Sequence, residues 1–367
     1  KIHINNILSY GDETIELNND LNVIVGPNGS GKSNLLNIII FVLKKFCFRN
    51  YEISSNYSAN TTEIKKYSIV QKQPLYNLPE NFFLQKHNNK KEDDSFIDFT
   101  ISFESQDINN LNEIKNYQDK LNDFLDHCVN NISILESKYS INISDVKKIF
   151  ELKEEDLQEG KDITLKIHNI DYEWKVENAD EKFYIYMKYF SLLQDILNII
   201  GIKSNLKNPF IFFEAYRNNS NDTTKASISE YNNQQYTNML SLPNLFALVS
   251  SIGTNSTYIT LATKKYGKMM RNAIEKKNGK EEFFNSSDYK RLKSFFEKFN
   301  YNINLECVSP ENNIYQFFLE KDGLKIEMDT ISSGEREIIN FIFGLFLEQL
   351  NDGIIIIDEP ELHLHPT

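Results

Sequence analysis

The chain has 367 residues, 40% hydrophobic and 25% charged, which suits a soluble globular protein with enough material for two structural units. Its net charge of −12 argues against a general polyanion-binding surface. No apolar run approaches the roughly 18 residues that cross a bilayer, so a cytoplasmic protein with no membrane partner is expected.

In chain order, residues 1–8 and 14–17 read as strands separated by a turn at Gly11-Asp12, and residues 21–25 (LNVIV) as a short apolar strand. The next eight residues, Gly26, Pro27, Asn28, Gly29, Ser30, Gly31, Lys32 and Ser33, fit G-x-x-x-x-G-K-[ST] at every fixed position. Small residues there let the backbone wrap a phosphate with successive N–H groups turned inward. Lys32 would reach the β- and γ-phosphates of ATP, and the Ser33 hydroxyl would ligate Mg²⁺. A helix from Ser33 to the region of Lys44-Lys45 would add the positive end of its dipole.

Residues 47–92 read as polar loops with at most one helix, and residues 95–104 (SFIDFTISFE) as a strand by their alternation. Residues 109–140 read as one helix, with Ile114, Leu121, Leu125, Cys128, Ile132 and Leu135 on a single stripe. A hairpin over 162–176 would turn at 169–171 with Trp174 on its second strand. A helix at 183–200, a buried strand at 208–215, a polar run at 218–238 and helices at 239–251 and through much of 258–300 follow. Cys47, Cys128 and Cys307 are too widely spaced for a disulfide framework or metal cluster and read as buried free thiols.

Lys264, Lys265, Lys268, Arg271, Lys276, Lys277, Lys280, Lys290, Arg291, Lys293 and Lys298 concentrate positive charge, with Phe283, Phe284, Phe295 and Phe296 interleaved. Two readings stand: a contact with nucleic acid or an acidic protein over 264–298, or a solvated helical face whose Phe pairs turn inward. The second is favoured.

Residues 313–328 read as a hairpin turning at 321–323, followed by a helix at 335–350 and a strand at 354–357. Four consecutive isoleucines suit a parallel strand covered on both faces, delivering Asp358 and Glu359 at its end. Asp358 would hold the magnesium and Glu359 would orient the attacking water, since neighbours on a strand point to opposite sides. Upstream, Ser332 or Ser333 caps the helix, Gly334 permits close backbone approach, and Glu335 lies in the first turn.

Ser332-Ser333-Gly334-Glu335, placed one short helix before Asp358-Glu359, resembles the ABC signature motif of SMC, RecF and OLD-type ATPases. Ser33-Asn34-Leu35-Leu36-Asn37 is similar to the helix opening of SMC-like heads. Residues 358–366 (DEPELHLHP) resemble the extended Walker B and D-loop region of OLD-like ATPases. The resemblance implies an α/β ABC-type P-loop head, a mixed sheet with an antiparallel β-subdomain, split between 1–46 and 313–367. Residues 47–312 would be an insertion with extra strands (about 95–104, 162–176 and 208–215) and a mainly helical lobe (about 109–140, 183–200 and 239–300).

The resemblance further implies ATP hydrolysis with Lys32 and Glu359 catalytic and Ser33 and Asp358 on the metal. Residues 26–34, through Asn34, would hold one nucleotide, completed by Ser332–Glu335 from a second copy in a homodimer or higher oligomer. The implied role is regulator or sensor of a bacterial anti-phage complex, controlling a nuclease or TOPRIM-type effector. A DNA-binding RecF/SMC-like repair ATPase and an ATP-stabilised scaffold are the alternatives. No Q-loop glutamine stands out among Gln71, Gln73, Gln106, Gln234 and Gln235, and no switch histidine is placed. His363 and His365 fall with the D-loop, and Arg217 would meet either nucleotide or a carboxylate.

Overall fold

The computed structural model describes residues 1–56, 66–72, 80–87, 94–128, 141–156, 158–202, 204–213, 225–227, 258–275, 279–321, 323–348 and 353–360. The expectations for 129–140, 218–224, 228–251, Lys276, Lys277, Arg217, Gln73, Gln234, Gln235, His363 and His365 lie outside these residues. The chain divides into two units, Lys1–Pro209 and Phe210–Thr367.

In the first unit, β1 (Ile2–Ile7), β2 (Tyr10–Ile15), β5 (Phe96–Ser102), β6 (Asp162–Ile170) and β7 (Glu173–Asn178) form an antiparallel sheet ordered β2-β1-β5-β6-β7. Period-two alternation puts Ile2, Ile4, Ile97, Phe99, Leu165, Ile167 and Trp174 among the buried side chains. The first hairpin turns at Leu8-Ser9, since Ile7 pairs with Tyr10, and not at Gly11-Asp12, which lie inside β2. Leu8 takes the positive φ of +51° that a two-residue hairpin turn demands, so the turn forms against the glycine signal. The β6–β7 hairpin turns at Asp171-Tyr172, both with positive φ, slightly later than the expected 169–171, because Asn169 and Ile170 still pair with Trp174 and Glu173.

Helix α1 (Lys32–Val42) buries Ile38, Ile39, Phe41 and Val42 and continues as a π-helical turn, Leu43–Cys47, past the expected end. The supposed loop region 47–92 contains an antiparallel pair, β3 (Tyr51–Asn56) and β4 (Lys66–Gln71), and a 3₁₀ turn at Glu80–Leu84. Its Asn- and Lys-rich composition hides the short alternations that pair. The expected helix over 109–140 is two helices in the described part, α2 (Ser105–Asn116) and α3 (Gln118–Asp126), broken at Tyr117. A capping box between Glu104 and Asp107 starts α2 earlier than its apolar stripe suggests. After α4 (Ile143–Lys147), helix α5 (Glu181–Ile199) is capped by Asp180, whose carboxylate accepts from Phe183 N at 3.3 Å.

Residues 21–25, expected as a strand, pair with no described strand, and Leu21, Val23 and Val25 are 81, 70 and 82% exposed. The apolar composition supplies strand propensity, but a strand exists only where a ladder partner meets it.

In the second unit, β8 (Phe210–Phe213) pairs in parallel with β13 (Ile354–Ile357), Phe210 opposite Ile354 and Phe213 opposite Ile357. A separate antiparallel sheet joins β10 (Asn302–Ser309), β11 (Ile314–Lys321) and β12 (Leu324–Glu327), with the short β9 (Ala226–Ser227) on β11. Of these, the β11–β12 hairpin matches expectation and β10 is an addition. Helices α6 (Tyr258–Glu275), α7 (Gly279–Asn285), α8 (Ser287–Glu297) and α9 (Ser333–Glu348) complete the unit. Among described residues no helix is long and apolar enough to cross a membrane.

Expected coverage of β13 on both faces is not found: Ile356 is buried, whereas Ile355 and Ile357 are 47 and 39% exposed. In this two-stranded pair only one side of β13 is packed. Helix α9 approaches β8 closely at Gly344, where a Cβ would stand 2.9 Å from the Phe213 ring and 3.1 Å from Tyr258. Both rings are held in the buried cluster, so neither yields cheaply. Gly344→Ala is expected to destabilise the protein by about 1–3 kcal/mol, measured as a lower denaturation midpoint at unchanged slope.

Candidate nucleotide site

The glycine-rich loop of the first unit is built by backbone geometry that only glycine adopts cheaply. Ser30 N donates to Pro27 O at 3.2 Å, and Gly29, third in that turn, has φ +81°, as a type II turn requires. Gly31, at φ +92°, occupies the N-cap of α1, and no side chain caps the helix there. A Cβ on Gly26 would come within 2.8 Å of Ser30 Oγ, and one on Gly31 within 2.5 Å of Ser9 Oγ. An added side chain at Gly26 would have to displace the Ser30 hydroxyl, and one at Gly31 would meet both the strain of its positive φ and the Ser9 side chain.

Lys32 opens α1 and its Nζ donates to Gly26 O at 2.7 Å and Pro27 O at 3.1 Å, so its ammonium lies back over the loop. Ser33, next in the helix, is exposed. The first N–H groups of a helix have no acceptor within it, and here they follow directly on the glycine turn. Main-chain donors, one ammonium and one hydroxyl are a donor set that fits a phosphate chain with a hard cation. Lys32 and Ser33, with Gly26–Gly31 as the cradle, are the residues that could hold it.

Two residues that sequence reading missed hold this loop in place. Tyr10 Oη donates to Gly31 O at 3.0 Å, and Asn34 Nδ2 donates to Ser9 Oγ at 3.0 Å. The β1–β2 turn thus grips the loop and the first turn of α1 together. No local signal marks Ser9 or Tyr10, because their role depends on a contact more than twenty residues away in the chain.

The second unit carries the other predicted residues. Of the two candidate serines, Ser332 is the cap: Glu335 N donates to its Oγ at 3.2 Å and Arg336 N to its carbonyl at 2.9 Å. Ser333 and Gly334 follow in the first turn, Ser333 exposed. Arg336 Nη2 donates to Asp329 O at 2.7 Å, tying the helix start to the preceding turn. Buried Asn340 accepts from Ile259 N at 3.4 Å, which joins α9 to α6 through a polar contact inside the core.

Asp358 continues the parallel ladder by one bond, its N–H donating to Phe213 O at 3.0 Å. Glu359 then turns to φ +46°, an uncommon and strained setting for a non-glycine residue, and is exposed. Strand alternation therefore no longer fixes its direction, contrary to the expectation drawn from neighbouring positions on an extended strand.

The remaining candidates divide. Phe283 and Phe296 are buried in the core cluster and Phe284 and Phe295 pack against it, so the aromatics of the basic segment face inward. Gln71 accepts from Arg49 beyond the far end of α1, and Gln106 donates to Asn110 on its own helix. The three cysteines are unpaired thiols, Cys47 buried and Cys128 and Cys307 half-buried. Burial pushes the Cys47 thiol up to about 12 and that of Cys128 to about 11, far from the reactive range. Among described residues no cluster of three or more His, Cys, Asp or Glu is arranged to hold a metal.

Comparison with known proteins agrees with the loop. Residues 1–367 match the AAA ATPase domain family, and the chain belongs to it. A 50-residue stretch is 44% identical to the chromosome partition protein Smc of Fusobacterium nucleatum subsp. nucleatum. That stretch is 13% of this chain and 4% of that relative, so the chain spans a small fraction of the relative's length. Membership places this protein in an ATPase family.

Removing the Tyr10 hydroxyl leaves the Gly31 carbonyl with only its helical bond from Leu35 N and frees the loop from the β1–β2 hairpin. Tyr10→Phe is expected to weaken nucleotide binding roughly fivefold, read by titration calorimetry with ATP. Gly31→Ala, which drives a Cβ into Ser9, should weaken it more than Tyr10→Phe does.

Proposed function

We propose that this chain is the ABC-type head of a Mg-ATP-dependent ATPase that dimerises head to tail around nucleotide. The observation that carries the reading is the glycine turn running into α1, with Lys32 folded over its carbonyls. Residues Gly26–Asn34 bind the phosphates of one ATP, Lys32 neutralises the β- and γ-oxygens, and Ser33 and Asp358 hold the metal. Magnesium, when bound, shields phosphate charge and aligns the γ-phosphoryl group. Glu359 accepts a proton from the attacking water or orients it for in-line displacement. Ser332, Ser333, Gly334 and Glu335 at the start of α9 meet the nucleotide held by the second copy, a helix N-terminus aimed at an anion.

An ATP-driven clamp of this kind suits regulation more than metabolism. We assign it the role of regulator or sensor in a bacterial anti-phage complex acting on a nuclease or TOPRIM-type effector. Support for that role is the similarity of residues 358–366 to OLD-like heads. A second reading, a DNA-binding repair or recombination ATPase, is favoured by the short match to the chromosome partition protein Smc.

Glu359→Gln is expected to keep ATP binding and dimerisation while phosphate release falls by about 10²-fold or more. Unchanged phosphate release in this variant would overturn the catalytic role of Glu359, and release at background level in the native chain itself would leave an ATP-held scaffold. Duplex DNA in the same assay separates the two biological readings. Stimulation that disappears when Lys264, Lys268, Lys290 and Lys293 are neutralised supports the DNA-binding role, and no stimulation supports the regulator.

A further inference from the structure

The first unit contains a pocket of about 510 Å³ lined by the π-helical turn after α1, by Arg49, by β7 and by the start of α5. It lies at the opposite end of α1 from the glycine loop, about 20 Å along the helix from Lys32 to Lys45 at 1.5 Å per residue. Its volume falls in the range of small-molecule sites. Phe46 and Trp174 in its wall are almost fully buried, whereas Glu177 and Glu181 at its rim are largely exposed.

Arg49 is the distinctive group. Its Nη1 donates to Gln71 Oε1 at 3.0 Å and its Nη2 to Tyr184 Oη at 2.6 Å, both neutral acceptors. Its Nε is buried with no acceptor, as is Trp174 Nε1. Among described residues no carboxylate forms an ion pair with it, although the chain carries twelve more acids than bases.

The nearby acids have other partners. Glu181 lies 3.7 Å from Lys148, Glu177 3.2 Å from His168, and Glu173 3.3 Å from Lys175. The positive field extends to Lys188 on α5, whose Nζ sits over the Tyr189 ring. Its pKa falls to about 8, first through burial and then through Arg49. A half-buried guanidinium without a counter-ion is costly to keep, and its planar fork matches a carboxylate or phosphate.

We infer that this pocket binds a small organic anion. The oxyanion sits on the Arg49 fork, drawing the guanidinium inward, and the body of the molecule packs against Phe46 and Trp174. The shared ligand chemistry is a carboxylate or phosphate monoester on a compact scaffold, with polar groups facing the acidic rim. This inference is independent of the ATPase reading, because none of its residues belongs to the glycine loop or to the 332–359 segment.

Trp174 is the one tryptophan of the chain, so its fluorescence reports on this pocket. Citrate, AMP and inorganic phosphate are titrated separately into the full chain and into its Lys32→Ala and Arg49→Gln variants. A saturable response to citrate or AMP is expected, retained in Lys32→Ala and weakened about tenfold or more in Arg49→Gln. Citrate against AMP distinguishes a carboxylate from a phosphate ligand, and inorganic phosphate alone should bind more weakly than the organic anion that responds. If Arg49→Gln does not fold by circular dichroism, Arg49→Lys replaces it, since it keeps the charge but loses the fork, and the same weakening is expected. No saturable response to any of the three, or a response lost in Lys32→Ala and kept in the Arg49 variant, overturns the proposal.

Discussion

Gly31 has no side chain, and the first unit is arranged around that absence. At φ +92° it caps α1 by backbone geometry alone, and the place of its missing Cβ is taken by Ser9 from the β1–β2 turn. The Tyr10 hydroxyl closes the contact on the Gly31 carbonyl. A sheet edge, a glycine turn and a helix start are thereby fixed by one close approach, and Lys32 is placed where its ammonium returns to the loop carbonyls. A larger residue at 31 would push against a hairpin whose register is set by buried Ile2 and Ile4. Strain would then pass into the sheet instead of being absorbed locally.

The second unit meets a comparable constraint at Gly344. There α9 needs a small residue to lie against Phe213 and Tyr258, and the helix that carries Ser332 at its cap is held to the strand that pairs with β13. Asp358 extends that pairing by one hydrogen bond before Glu359 leaves the strand in a left-handed turn. The acids therefore have unequal surroundings. Asp358 is tethered by its backbone to β8, whereas Glu359 is exposed at a strained position, which suits the unequal roles proposed for them.

Charge in this acidic chain is handled unevenly as well. The basic stretch of α6–α8 turns its aromatic residues to the core and leaves its cations on a helical surface. By contrast Arg49, in the wall of a cavity, has only neutral hydrogen-bond acceptors among the described residues. Helix α1 and its π-helical extension connect these themes, since the glycine loop lies at one end and the Arg49 pocket at the other.

Local chemistry was readable wherever a few consecutive residues carry it. The glycine turn, the helix after it, the β11–β12 and β6–β7 hairpins, the isoleucine strand and the S-x-x-E cap all follow from propensity and spacing within short windows. Features decided by distant partners were not readable. The first hairpin turned at Leu8-Ser9 in spite of Gly11. Residues 21–25 had strand composition but no ladder among the described strands. β3, β4 and β10 formed where composition had suggested loops or nothing, and one expected helix broke at Tyr117. The grip of Ser9 and Tyr10 on Gly31 and the neutral partners of the Arg49 fork likewise arise from residues far apart in the chain. Sequence by itself determined which residues can cradle a phosphate, because that depends on backbone freedom and side-chain chemistry at adjacent positions. Tertiary structure alone decided what braces that cradle and which charge is left without a partner, because both depend on contacts that only the folded chain creates.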